Sequence, residues 1–313
     1  MLDQLLRRRV LILLGKGGVG KTTLSAAVAW LASRRKGPAL AMEADERAPL
    51  AALLGSRASY SPVAVSAELS AMVVEGSRAL EEYLRLVIPA PRIFHAVASS
   101  KLYQYFVQAA PGLRELMVLG KIYYEAAIGH DGRPRWDLIV FDAPSSGHAL
   151  NLLRMPFAAR DTFGESLVGR EAAKIGALLR DPHRCAVVAV TTPEALAIAE
   201  TLETAAELAR LGIPLAAVFL NRHNPAGFTA ADLTRLKNSS AMRGRRANAD
   251  YLCAVAAAGL AEDARSRRAV RQLQSKIPCP IIRLGDFNDF SGAALMARVA
   301  AELSNEPRAW VAR

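Results

Sequence analysis

The chain is poor in cysteine and in aromatic residues: Cys185, Cys253 and Cys279 are its three cysteines in 313 residues, and aromatics make up 6%. The cysteines are scattered and form no CxxC pair, so neither a disulfide framework nor a zinc knuckle is signalled. There is no run of roughly eighteen uncharged apolar residues, so no membrane-spanning helix is expected. The first apolar stretch, Val10 to Leu14, runs into a glycine loop instead of a small-residue cleavage site, so no secretory leader is expected. The expected location is the cytoplasm, with peripheral contact at a membrane left open. A net charge of +11 and a pI near 9.9 favour anionic surfaces. Arginine and lysine are nevertheless spread along the chain with few aromatics among them, so nucleic acid is not the expected partner.

Hydrophobic residues are plentiful, at 52%, enough for a large core. Short apolar runs recur at Val10–Leu14, Pro38–Met42, Leu69–Val74, Trp136–Phe141, Cys185–Thr191, Leu215–Asn221 and Pro280–Leu284, each followed by a turn and a helix-like segment. Strands buried on both faces read this way, and right-handed crossovers put helices on each side of them. The expected fold is α/β: a doubly wound, mostly parallel sheet with helices on both faces and a helical subdomain on one face. We expect a single domain over 1–313, with helical elaborations at about 78–129 and 225–273. The second carries Arg243, Arg245, Arg246, Arg265, Arg267, Arg268 and Arg271, read as a solvated helix face.

The stretch Leu13-Leu14-Gly15-Lys16-Gly17-Gly18-Val19-Gly20-Lys21-Thr22-Thr23 fills every fixed position of G-x-x-x-x-G-K-S/T between a strand and a helix. Glycines there let successive N–H groups converge on phosphates, and the following helix adds its dipole. This assigns ATP binding to Gly15, Gly17, Gly18, Val19, Gly20, Lys21, Thr22 and Thr23. Lys21 is placed on the β and γ phosphates, and the Thr22 hydroxyl on Mg2+. Downstream, Trp136-Asp137-Leu138-Ile139-Val140-Phe141-Asp142 is an apolar strand ending in a carboxylate. Asp142 is the second expected magnesium residue, acting through the ion's water shell.

Lys16, a second lysine at the start of the loop, resembles the deviant phosphate loop of the SIMIBI class. The segment Asp142-Ala143-Pro144-Ser145-Ser146-Gly147-His148-Ala149-Leu150, continuing to Pro156, is similar to the switch II of the ArsA/Get ATPase family, D-T-A-P-T-G-H-T-L. Pro144, counted without gaps, falls one place before the family's proline. The resemblance implies that Lys16 reaches across a dimer to the partner's ATP and supplies charge to the transition state. It also implies that Pro144, Gly147 and His148 form a switch sensing the γ-phosphate. After the second strand, Glu43-Ala44-Asp45-Glu46-Arg47-Ala48-Pro49-Leu50 stands where the family has D-P-A-H-x-L. Asp45 matches the aspartate that orients or deprotonates the attacking water, while Glu46 and Ala48 replace the proline and the histidine. Glu43 is a rival for the role.

The resemblance continues through Val190-Thr191-Thr192-Pro193-Glu194 to Val218-Phe219-Leu220-Asn221, which implies that Asn221 reads adenine; a simple turn is the other reading. Lacking paired cysteines, the chain is expected to hold no structural zinc, and Cys253 is read as a buried structural thiol. The implied partner is a second copy or a paralogue. The implied client is a hydrophobic membrane protein; an anion exporter's channel and a positioning switch at a membrane are the alternatives. Phe94, Val97, Leu102, Tyr103, Tyr105, Phe106, Leu113, Leu116 and Met117 would line a client groove or form a subdomain core.

Overall fold

A computed structural model describes residues 2–88, 90, 92, 100, 112–129, 132–238, 246–287, 289–304 and 310–311. After a short helix α1 (Leu2–Leu6), the chain alternates strand and helix: β1 (Val10–Leu14), α2 (Lys21–Arg35), β2 (Ala39–Glu43), α3 (Pro49–Leu53), β3 (Val63–Ala64), β4 (Leu69–Val73) and α4 (Gly76–Val87). Then follow α5 (Leu113–Tyr123) with a π-helical turn at Tyr124–Ile128, β5 (Leu138–Asp142), α6 (Ser146–Phe163), α7 (Leu167–Arg180), β6 (Cys185–Thr191) and α8 (Ala195–Leu211). The chain ends in β7 (Leu215–Leu220), α9 (Ala230–Asn238), α10 (Arg246–Lys276), β8 (Ile281–Arg283), α11 (Gly292–Ser304) and β9 (Trp310–Val311).

Among the described residues the strands form one nine-stranded sheet in the order β3-β4-β2-β5-β1-β6-β7-β8-β9. The seven inner strands run parallel, and β3 and β9 add antiparallel edges. All residues of β1, β2, β4, β5 and β6 are buried, which is why each reads as an unbroken apolar run. Alternation along β1 divides the core. Leu11 and Leu13 face α1, α2, α3 and α11, whereas Val10, Ile12 and Leu14 face α5, α6 and α7. A third cluster joins β7 and β8 to Ala269, Val270, Leu273 and Ile277 at the end of α10.

The seven expected strands are present with ends shifted by at most two residues. Trp136 precedes β5, buried, with its indole N–H donating to Glu125 Oε2 at 3.0 Å. β3 and β9 were not expected: each has two residues, too few for any period to show. The stretches 78–129 and 225–273 carry most of α4 with α5, and of α9 with α10. Phe94, Val97, Leu102, Tyr103, Tyr105, Phe106, Arg243 and Arg245 lie outside the described residues; Leu116 is buried and Leu113 and Met117 are half-buried. Arg265, Arg267, Arg268 and Arg271 are exposed.

Cys253 departs from expectation. It is only half-buried: among the described positions of α10 the buried ones begin at Asp263, and α9 packs beside the helix. Cys185, on β6, is the buried thiol, and burial pushes its pKa up to about 12.

Candidate functional site

Parallel pairing brings the carboxyl ends of β1, β2, β5, β6 and β7 to one edge, the edge where ligands of such sheets bind. The loop 15–20 leaves β1 there and feeds α2. Gly15 (φ 153°), Gly18 (φ 83°) and Gly20 (φ 94°) hold backbone that side chains rarely adopt. A Cβ on Gly15 would strike the carbonyl oxygen of Val190, and one on Gly20 would strike the Asn221 amide. Around Gly17 and Gly18 the space is open, so the rim of the cradle faces outward.

Lys21 opens α2, and its ammonium donates to the carbonyl oxygens of Gly15 (2.9 Å) and Lys16 (3.1 Å). Partial burial lowers its pKa, against the pull of Asp142 and Glu200. The Gly15 carbonyl also accepts from the Ser146 N–H at 3.1 Å, tying the first turn of α6 to the phosphate loop. Ser146 Oγ donates to Glu200 Oε2 on α8 at 2.8 Å.

Asp142, 7% exposed at the end of β5, accepts from Thr22 Oγ1 at 2.7 Å and from Ser25 Oγ at 3.0 Å. Burial raises its pKa; the two hydroxyls and the Lys21 ammonium oppose the rise. A buried carboxylate beside a threonine hydroxyl is an all-oxygen set of the kind a hard divalent cation takes, so these residues fit magnesium. Ser25 is absent from the expected site. Its signal is its spacing, three residues after Thr22 on a helix, which puts both hydroxyls on one face.

The structure also gathers the remaining expected residues at this edge. Lys16 is half-buried, and its ammonium has no hydrogen bond or ion pair among the described residues. Asn221 follows β7 and donates from its amide to the Val19 carbonyl at 2.9 Å, closing the loop from the far side. Pro144 is half-buried between β5 and α6, while Gly147 and His148 are exposed in the first turn of α6. Thr23 is half-buried in the first turn of α2.

Beyond β2, Asp45 is bound by Arg47 through its backbone N–H (3.0 Å), Nε (3.0 Å) and a terminal guanidinium nitrogen (2.7 Å). That partner holds the Asp45 carboxyl below its ordinary range. Glu43 is 1% exposed and bonded to the backbone of α3. Burial pushes its pKa up to about 7, with the backbone bonds acting the other way and the carboxylates of Asp142 and Asp45 adding to the rise.

A doubly wound sheet with this loop, lysine, threonine and strand-end aspartate defines a nucleotide-hydrolysing P-loop protein. The sequence model of the anion-transporting ATPase family, ArsA_ATPase, matches residues 8–172 and 165–243, and the chain belongs to that family as an ATPase. It is similar to ATPase BagA of Mycobacterium tuberculosis, 29% identical over 235 residues, covering 72% of this chain and 68% of the relative. It is also similar to a putative arsenical pump-driving ATPase of Halobacterium salinarum, at 28% identity over 68% of this chain and 35% of the relative. ATPase ASNA1 homolog 2 of Paramecium tetraurelia is 22% identical over 66% of this chain and 74% of its own length.

Among the described residues no helix is long and apolar enough to cross a membrane. Nor does any group of three or more histidine, cysteine or acidic residues there stand ready to hold a metal ion.

Proposed function

We propose that this ATPase works as a dimeric switch in which ATP and Mg2+ bind at the carboxyl edge of the sheet and hydrolysis moves the helical face that handles a hydrophobic membrane-protein client. The observation that carries the reading is Lys16. It stands on the rim of the phosphate loop, beside the open space at Gly17 and Gly18, with an ammonium that no described group holds. Lys21 and the loop N–H groups would grip the phosphates from within the chain, leaving Lys16 free to act on the nucleotide of a partner copy. Thr22 and Asp142 would hold magnesium, which supplies positive charge to the β and γ phosphates. Asp45 would orient the attacking water.

The link to the helical face runs through α6. Its first turn, carrying Gly147 and His148, is bonded to the loop through Ser146 and to α8 through Glu200, and Arg154 further along pairs with Glu207 of α8 at 2.6 Å. Exposed apolar side chains on the two elaborations, Leu86 and Val87 of α4 and Tyr251, Leu252 and Val255 of α10, offer surface to an apolar client. We treat 1–313 as one switching unit, built as a homodimer or with a paralogue. The name of the Halobacterium relative raises ion export, but its arsenical cargo is not carried over.

The test is the solution mass and ATP turnover of wild type and Lys16→Ala, each with and without Mg-ATP. Wild type should shift from monomer to dimer with ATP, and Lys16→Ala should bind nucleotide with turnover reduced about 10²-fold or more, as for loss of one transition-state donor. A wild type that turns over ATP as a monomer, with a rate indifferent to Lys16, removes the dimer from the mechanism.

A further inference from the structure

The carboxyl end of β2 carries a buried acid that the phosphate loop does not use. Glu43 Oε2 accepts from the Leu50 N–H at 2.9 Å and Oε1 from the Ala51 N–H at 2.8 Å. Both donors belong to the first turn of α3, where no earlier carbonyl of the helix can serve them. The usual source of such a bond is the residue just before the helix. That residue is Ala48, which has no side-chain oxygen and stands in left-handed backbone, φ 51° and ψ 49°. An L residue holds that conformation only where surrounding contacts fix it. α3 itself has five residues, too few to be stable alone.

We propose that Glu43 is a positioning residue for ATP hydrolysis: from the end of β2 it holds the first turn of α3, and so sets the loop 44–48 and the place of Asp45. The proposal rests on reading Asp45 as the water-orienting group. Glu43 is itself fixed from two sides. Its carbonyl accepts from the Val74 N–H at 2.7 Å, and it stands in register beside Asp142 of β5. The position of Asp45 is thereby referred to the strand that carries Asp142. This loop lacks the proline and histidine of the family pattern, and a two-oxygen side chain reaching across the turn takes over the task of fixing it.

The test uses the full chain as wild type, Glu43→Ala, Glu43→Gln and Asp45→Asn. It measures kcat, KM for ATP, binding of a fluorescent ADP analogue, and limited trypsin digestion. Arg47 is the only lysine or arginine between Lys36 and Arg57, so a cut after it reports the loop alone.

Glu43→Ala should lower kcat about tenfold or more, since misplacing a reacting group by about 1 Å can cost about 10²-fold, while KM and ADP binding stay within about threefold. Cutting after Arg47 should rise without a general rise elsewhere. Glu43→Gln keeps one acceptor oxygen and should recover part of the rate.

If Asp45→Asn abolishes turnover while Glu43→Ala keeps kcat within about twofold of wild type, the Glu43 proposal is overturned and the Asp45 reading stands. Cutting that rises evenly along the chain also overturns it, because Glu43 is then merely a core residue. If Asp45→Asn turns over normally, the Asp45 reading falls and takes this proposal with it.

Discussion

Two loops leave the same edge of the sheet, one after β1 and one after β2, and they are built in opposite ways. The phosphate loop is closed on itself: Lys21 bonds back to Gly15 and Lys16, Asn221 bonds to Val19, and a helix of fifteen residues backs it. The loop 44–48 leads into a helix of five residues, and its Asp45 side chain is held by an arginine that is 88% exposed. Gripping phosphate demands one fixed geometry, so the first loop fills a general pattern at every fixed position. In the proposed switch the second loop moves between states and can be held by different contacts in different chains, which fits its departure from the family's pattern.

The largest effect that separates the two loops is expected from Lys21→Ala. With Lys21 on the phosphates as proposed, it removes that charge and the two bonds that shape the loop, so kcat/KM should fall about 10³-fold or more, with ATP binding weakened as well. Asp45→Asn should act differently, lowering kcat about 10²-fold with ADP affinity unchanged, as expected for a group that works only on the attacking water. Stopped-flow binding beside steady-state kinetics checks both. An Asp45 variant that lost binding in step with rate would place both loops in one rigid unit.

Ser25→Ala is the smaller probe of the rigid side. It removes one of the two hydroxyls on the Asp142 carboxylate and leaves the other oxygen bonded to Thr22. A net loss of about 1 kcal/mol is expected for such a bond, hence a fall of a few degrees in melting temperature. The magnesium concentration at half-maximal rate should rise about fivefold. Calorimetry and a magnesium titration read these separately.

Most of the sheet was legible because its strands are buried on both faces and flanked by helices, so each is a plain apolar run. The phosphate loop was legible because geometry restricts its residues: a side chain at Gly15 or Gly20 would collide with Val190 or Asn221. Ser25 and Glu43 were harder to read. Ser25 stands outside the motif and Glu43 was read only as a rival to Asp45, because their partners, Asp142 and the first turn of α3, are set by how α2 and β2 stand in the fold. Cys253 was misread for a related reason. A free cysteine is most often buried, but α10 begins well outside the part of the helix that meets the sheet, and one side chain carries no sign of that.

The finest test of the comparison is Arg47→Ala, read as a pH profile. Arg47 is exposed and its bond to Asp45 is made at the surface, where such pairs contribute little, so the rate at neutral pH should change less than about fivefold. The pH dependence should still move. If Asp45 takes the proton of the attacking water, its carboxylate must be ionised, so turnover falls as pH drops through its pKa, which Arg47 lowers chiefly by hydrogen bonding. Without the guanidinium that pKa rises, and the acid limb of kcat should shift to higher pH; added salt, by screening the pair, should shift the wild-type limb in the same direction. If the limb stays in place while Asp45→Asn is inactive, the Asp45–Arg47 contact is absent from the working state. The loop after β2 then rearranges on binding ATP, as a moving loop should, while the loop after β1 keeps the geometry seen here.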